Sequence, residues 1–201
     1  MPYSAPARIS AALISAAAFG ALILQCFLNL ERDGLFFVAA GLLMRFFTIW
    51  SNLGAAIIMA WIASGRRVAP EALHALASAL AIVALVYWTL LAGMHHPEGW
   101  DRVTNQFHHT IVPLATILWW YVFGERSEHF GRSVAATMIA PVLYAIFALA
   151  YGGASGFYAY FFLDRSTLDW AQIAFNIVGL ALLFALIGAI MLSAKRLVRR
   201  A

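Results

Sequence analysis

Six long apolar stretches follow one another along this chain, and that succession constrains its fold more than any motif does. They run over Ile9–Leu30, Phe36–Ser64, Leu73–Met94, Thr104–Phe123, Val134–Gly153 and Ala171–Ala194. A helix rising 1.5 Å per residue needs about 20 such residues to cross the hydrocarbon layer of a bilayer. Each stretch is bounded by charge or by Gly and Pro, as in Glu31-Arg32-Asp33-Gly34, Gly65-Arg66-Arg67 and His95-His96-Pro97-Glu98-Gly99. Strands of a membrane barrel would alternate apolar and polar residues over about ten positions, and these runs do not.

Composition agrees with a lipid solvent. Of 201 residues, 64% are hydrophobic and 11% charged, and the mean hydropathy is +0.83. A soluble domain of this size has too little interior to hide so much apolar surface. The reading is an all-α integral membrane protein, one six-helix transmembrane domain over residues 1–201. The first stretch follows Arg8, but its length and the lack of a small-x-small site before a polar region predict a retained helix rather than a signal peptide.

Lys and Arg set the expected orientation. Arg8, Arg66, Arg67, Arg126, Arg132, Lys195, Arg196, Arg199 and Arg200 fall on one side of such a bundle, against Arg32, Arg102 and Arg165 on the other. Both termini are therefore expected in the cytoplasm. Glu31, Asp33, Glu98, Asp101, Asp164 and Asp169 lean to the outer face, so the net charge of +4 sums two unlike surfaces and gives no support for nucleic-acid binding. The basic tail from Lys195 to Arg200 is expected to meet anionic headgroups. Cys26 is the only cysteine, which excludes an intrachain disulfide or a cysteine-based metal cage.

Polar side chains inside apolar helices are costly and mark candidate function. Arg45, Thr48 and Asn52 fall within an arc of about 60° on a helix, with Ser51 just off it. The fourth stretch repeats the pattern with Asn105, His109, Pro113 and Thr116. A Thr hydroxyl is unreactive near neutral pH unless a base removes its proton, and imidazole is the usual base. Thr48 and His109 are thus candidate nucleophile and base. Asn105 or Asp164 could orient the imidazole, and Arg45, Asn52 or Tyr160 could donate to a developing oxyanion. Depth is the difficulty: Thr48 lies roughly 20 Å along a straight second helix at 1.5 Å per residue, whereas His109 lies near the outer start of its own. The two meet only if the second helix protrudes or tilts.

These residues resemble the androgen-induced gene family of multi-pass membrane proteins and the bacterial "Pr-six-Pr" membrane proteins. The resemblance rests on Phe46-Phe47-Thr48-Ile49-Trp50-Ser51-Asn52-Leu53, on His109-Thr110-Ile111-Val112-Pro113, and on the aromatic loop Gly156-Phe157-Tyr158-Ala159-Tyr160-Phe161-Phe162-Leu163-Asp164. It implies hydrolysis of lipid esters, such as fatty acid esters of hydroxy fatty acids, with Thr48 as the nucleophile and His109 as the essential His. His108 adjoins it, and the Asn105-x-x-x-His109 spacing selects His109. No cofactor or metal is implied. The bacterial group implies residence in the cytoplasmic membrane, with membrane lipids as partners. The loop of Tyr158, Tyr160 and Phe162 could form a lid at the outer face or an interfacial aromatic belt.

Two other readings stay open. Arg45 could hold an anionic headgroup or carboxylate in a transporter or a non-catalytic binding protein. His95, His96, His108 and His109, with Glu98 and Asp101 between them, could bind a metal or haem. His74 and His129 are expected to be solvated, and Tyr87, Trp88, Trp119, Trp120 and Tyr121 to be interfacial anchors.

Overall fold

The computed structural model describes residues 3–198. Seven helices account for it: α1 (Ala5–Asp33), α2 (Phe36–Leu43), α3 (Phe47–Ala63), α4 (Pro70–Leu91), α5 (99–123), α6 (Phe130–Ser155) and α7 (Trp170–Val198). A single 3₁₀ turn, Phe161–Leu163, interrupts the loop between α6 and α7. Local chemistry explains the ends of α1. Ser4 accepts from the Ala7 N–H at its start, and Gly34 closes it in the left-handed conformation, φ 74°.

Four helices, α1, α4, α6 and α7, are long and apolar enough to cross a membrane, and α2 with α3 makes a fifth span if the bent pair counts as one. Where the sequence predicts six spans, the helices supply four or five. α5 is not among them, because its first turns carry Asp101, Arg102, Thr104, Asn105 and Gln106. Phe37, Leu118, Phe175 and many other large apolar side chains point outward, as a lipid solvent allows.

The second predicted helix, Phe36–Ser64, is not continuous. It breaks over residues 44–46, and α2 meets α3 at 98°. No Pro or Gly marks the break. Side chains compensate the carbonyls it frees: Trp50 Nε1 donates to Met44 O at 2.8 Å, and the Tyr144 hydroxyl donates to Arg45 O. Buried backbone groups need such partners.

α4 runs through the middle, against α3, α5, α6 and α7. Near its start, Tyr3, Met59, Leu73, Trp119 and Trp120 form a core cluster. Trp119 and Trp120 are thus core residues rather than interfacial anchors. His74 is also buried, between the carbonyls of Ser133 and Gly188 at 3.2 and 2.9 Å, and stacked on Trp120. The expectation of a solvated His74 fails because α6 and α7 cover the first turns of α4.

The basic tail is corrected in the same region. Lys195 does not reach for headgroups: it is buried, and its Nζ donates to Trp120 O and to Gly124 O, the carbonyls that end α5. A cation at a helix C-terminus answers both the unpaired carbonyls and the helix dipole. Arg199 and Arg200 lie outside the described residues.

Candidate functional site

The break before α3 resolves the mismatch in depth. It moves Thr48 from the middle of a long helix to the first turn of a shorter one. There Thr48 faces α5, and its Oγ1 lies 3.4 Å from Nε2 of His109. That separation is long for a hydroxyl–imidazole hydrogen bond.

His109 is held from behind. Its Nδ1 lies 3.1 Å from the backbone carbonyl of Asn105. A carbonyl can only accept, so Nδ1 carries the proton, and in the neutral ring Nε2 presents its lone pair to Thr48. Asn105 thus orients the ring through its main chain. Its side chain turns the other way, Nδ2 donating to the Tyr87 hydroxyl at 2.6 Å. The Tyr87 ring in turn stacks on the imidazole, with centroids 3.9 Å apart and planes 19° from parallel.

Both aromatic partners sit in unusual backbone. Tyr87 opens a π-helical turn, Tyr87–Leu91, and His109 lies inside another, Phe107–Ile111. π turns are rare and recur at functional sites. Tyr87, expected as a lipid anchor, is 4% exposed. No local sequence signal distinguishes it, since its role depends on residues of another helix.

Tyr160 completes the near surroundings of Thr48. Its phenol lies against the Thr48 side chain and the backbone of Phe47 and Thr48; burial pushes its ionisation above the ordinary phenol value, against the pull of those hydrogen bonds. A neutral phenol offers an O–H donor beside the hydroxyl it faces. Asn176 Nδ2 donates to Phe162 O at 2.9 Å and helps to hold this loop. Tyr158 does not reach the site. Its ring lies on Gly152, where a Cβ would collide with it, so it fastens the loop to α6.

Other expected site residues have structural partners. Asn52 is fully buried, and its Nδ2 donates to Thr48 O at 2.8 Å and His108 O at 3.0 Å, which ties α3 to α5 and leaves no N–H for an oxyanion. Ser51 donates back to Phe47 O within its own helix. Asp164 accepts from the backbone and side chain of Ser166 and shapes the loop rather than the imidazole. Arg45 turns its guanidinium onto the rings of Phe157 and Tyr151, at 4.5 and 5.3 Å, and lines neither cavity that contains Thr48.

Those two cavities share a wall made of Thr48, Tyr87, Leu91, His109 and Tyr160. On one side lies a narrow cleft of about 50 Å³ among α3, α4, α6 and α7, lined mostly by apolar residues such as Ile82, Val86, Leu180 and Phe184. On the other lies a cavity of about 600 Å³, whose wall includes Gln25, Asn29, His95, Glu98 and the ion pair of Arg32 with Asp101. The arrangement joins a narrow apolar slot, a hydroxyl–imidazole pair and a wider vestibule that mixes polar and apolar side chains. His108 also lines the vestibule, buried, with neither ring nitrogen hydrogen-bonded among the described residues. Among the described residues no three of His, Cys, Asp and Glu come together as metal ligands. Compared with known proteins, the chain matches no family model, no curated protein and no solved structure.

Proposed function

We propose that this chain is a multi-pass membrane hydrolase of lipid esters, with Thr48 as nucleophile and His109 as general base and then acid. One observation carries the reading: Thr48 Oγ1 stands 3.4 Å from Nε2 of an imidazole whose Nδ1 is committed to the Asn105 carbonyl. The resemblance to the androgen-induced gene family supports the same pair. In this reading α5 and the bent α2–α3 pair complete six passes, both termini lie in the cytoplasm, and the membrane is the bacterial cytoplasmic one.

The chemistry follows from the pair. Thr48 Oγ attacks the acyl carbon as its proton passes to His109 Nε2, and the carbonyl oxygen takes the negative charge. Tyr160, which shares the cavity wall with Thr48 and His109, is the side chain assigned to donate to that charge. Collapse of the intermediate breaks the ester C–O bond, and His109 returns the proton to the departing alcohol. Water then attacks the acyl-Thr, His109 takes and returns a proton again, and a carboxylic acid leaves with the Thr48 hydroxyl restored. The wider cavity, about 600 Å³, admits both water and the lipid ester, and the cleft of about 50 Å³ takes only a short apolar segment beside the ester. Fatty acid esters of hydroxy fatty acids, or related lipids, are the substrate class.

The test is covalent labelling of the purified protein by a fluorophosphonate probe. Wild type labels at Thr48, and Thr48→Ala and His109→Ala do not. Wild-type protein that stays unlabelled, or a Thr48→Ala variant that keeps full labelling, overturns the reading.

A second reading is favoured by Arg45. Among the described residues it forms no ion pair, and its Nε is buried without a hydrogen-bond partner. An anionic headgroup or carboxylate would supply one, in a non-catalytic binding protein or transporter. Loss of co-purifying anionic lipid in Arg45→Gln, with no Thr48 labelling in wild type, is the outcome that favours it.

A further inference from the structure

We infer that Tyr87 is a positioning residue for His109, fixing both the plane of the imidazole and the carbonyl that holds its Nδ1–H. This rests on the reading of His109 as the base for Thr48.

The contacts close a ring. Tyr87 covers one face of the imidazole at 3.9 Å, its hydroxyl accepts from Asn105 Nδ2 at 2.6 Å, and the Asn105 carbonyl takes His109 Nδ1–H at 3.1 Å. Each member restrains the next. With the Tyr ring against it, the imidazole cannot turn toward that side, and with Asn105 tethered at its side chain, the carbonyl keeps its aim. Tyr87 and Asn105 are 4% and 6% exposed, so bulk water does not substitute for either contact.

Backbone geometry points the same way. The two stacked residues come from different helices, and each lies in a π turn. A π turn adds a residue to the ladder and re-aims the side chains that follow. Two such turns facing each other, with the stacked rings between them, serve the stack better than they serve either helix alone.

The stack also bears on the proton transfer. When the Thr48 proton arrives on Nε2 and the Oγ lone pair forms the bond to the acyl carbon, His109 becomes an imidazolium lying on the face of an aromatic ring. That face attracts a cation, most strongly where water is excluded. Tyr87 therefore acts on the transition state through His109, without touching the reacting atoms.

The experiment uses full-length protein in detergent micelles: wild type, Tyr87→Phe and Tyr87→Leu. Nitrogen-15 spectra of histidine-labelled protein, with His109 identified by comparison with His109→Gln, read the tautomer directly. Wild type is expected to show a single Nδ1–H form. Tyr87→Phe keeps the stack but frees the Asn105 side chain and gives a mixture of tautomers, and Tyr87→Leu gives a broader one. The maximal rate of fluorophosphonate labelling falls about tenfold in Tyr87→Phe, as loss of one buried hydrogen bond implies, and further in Tyr87→Leu. The probe concentration for half-maximal rate stays within about twofold in Tyr87→Phe, which keeps the ring in the wall of both cavities.

Unchanged histidine spectra and labelling rates in both variants overturn the inference and leave the Thr48–His109 pair standing. Absence of Thr48 labelling in wild type overturns that pair instead, and the histidine spectra still decide whether Tyr87 fixes the ring. Tyr87→Phe preserves the buried shape, so its result does not depend on whether Tyr87→Leu folds.

Discussion

The carbonyl of Asn105 stands 3.1 Å from Nδ1 of His109, one turn further along the same helix, and so determines which nitrogen is left for Thr48. Removing that nitrogen removes the base. His109→Gln is expected to lower the labelling rate by about 10²–10⁴-fold. In wild type the rate falls on acidification, because imidazolium has no lone pair for the Thr48 proton; labelling rates over a pH series check this.

The hydroxyl of Thr48, rather than its shape, carries the proposed reaction. Thr48→Ser keeps the hydroxyl on the first turn of α3 and is expected to retain labelling within about tenfold, the cost of a looser rotamer. Thr48→Val keeps the branched shape and is expected to lose the adduct entirely. Intact-protein mass spectrometry distinguishes the two.

Tyr160 is expected to act as a neutral donor. Burial raises its ionisation above the ordinary phenol value of about 10, so its O–H persists below that and through it, and alkaline solution up to about pH 10 does not remove it. The alkaline limb of the rate is then flat. Tyr160→Phe lowers the maximal rate by about 10²-fold with little change in half-saturation, as the loss of one oxyanion donor does.

Asn52 is expected to matter for folding more than for chemistry. Its Nδ2 answers two buried carbonyls, Thr48 O and His108 O. Asn52→Leu removes both hydrogen bonds, and the His108 carbonyl, with Pro113 five residues on and no N–H there, loses its partner, at about 1–3 kcal/mol for a buried group. Thermal unfolding in detergent checks this, with a lower midpoint as the expected result.

Lys195 makes a separate claim on stability. Lys195→Met keeps much of the stem but strips the charge from the carbonyls of Trp120 and Gly124. The midpoint is expected to fall by an amount matching about 1–3 kcal/mol, while the Thr48 labelling rate at a temperature where the variant is folded stays within about twofold.

Much of this site is legible in the residues themselves. A histidine within an apolar stretch stands out because lipid disfavours it, Thr48 draws notice through the stripe it shares with Arg45 and Asn52, and the Asn105–His109 spacing is one helical turn. The break over residues 44–46 is not legible, since no Pro or Gly announces it and one of its compensating groups, Tyr144, lies 99 residues away. Arg45 shares a helical stripe with Thr48 and Asn52 only while that helix is unbroken, which explains why Arg45 ends against Phe157 and Tyr151 instead of the cavity. Tyr87 and Lys195 look like an interfacial aromatic and a basic tail. Their burial is set by helices that local patterning does not position.

The bend between α2 and α3 also fixes a level. With α3 upright in a bilayer, a partner at 98° would lie flat, and the outward Phe36, Phe37 and Val38, spread around α2, give that segment apolar surface on more than one side. In the proposed reading such a segment acts as a float, and Thr48, one turn beyond the elbow, rides with it at the waterline, where a thicker or thinner membrane would leave the hydroxyl beside ester bonds and water.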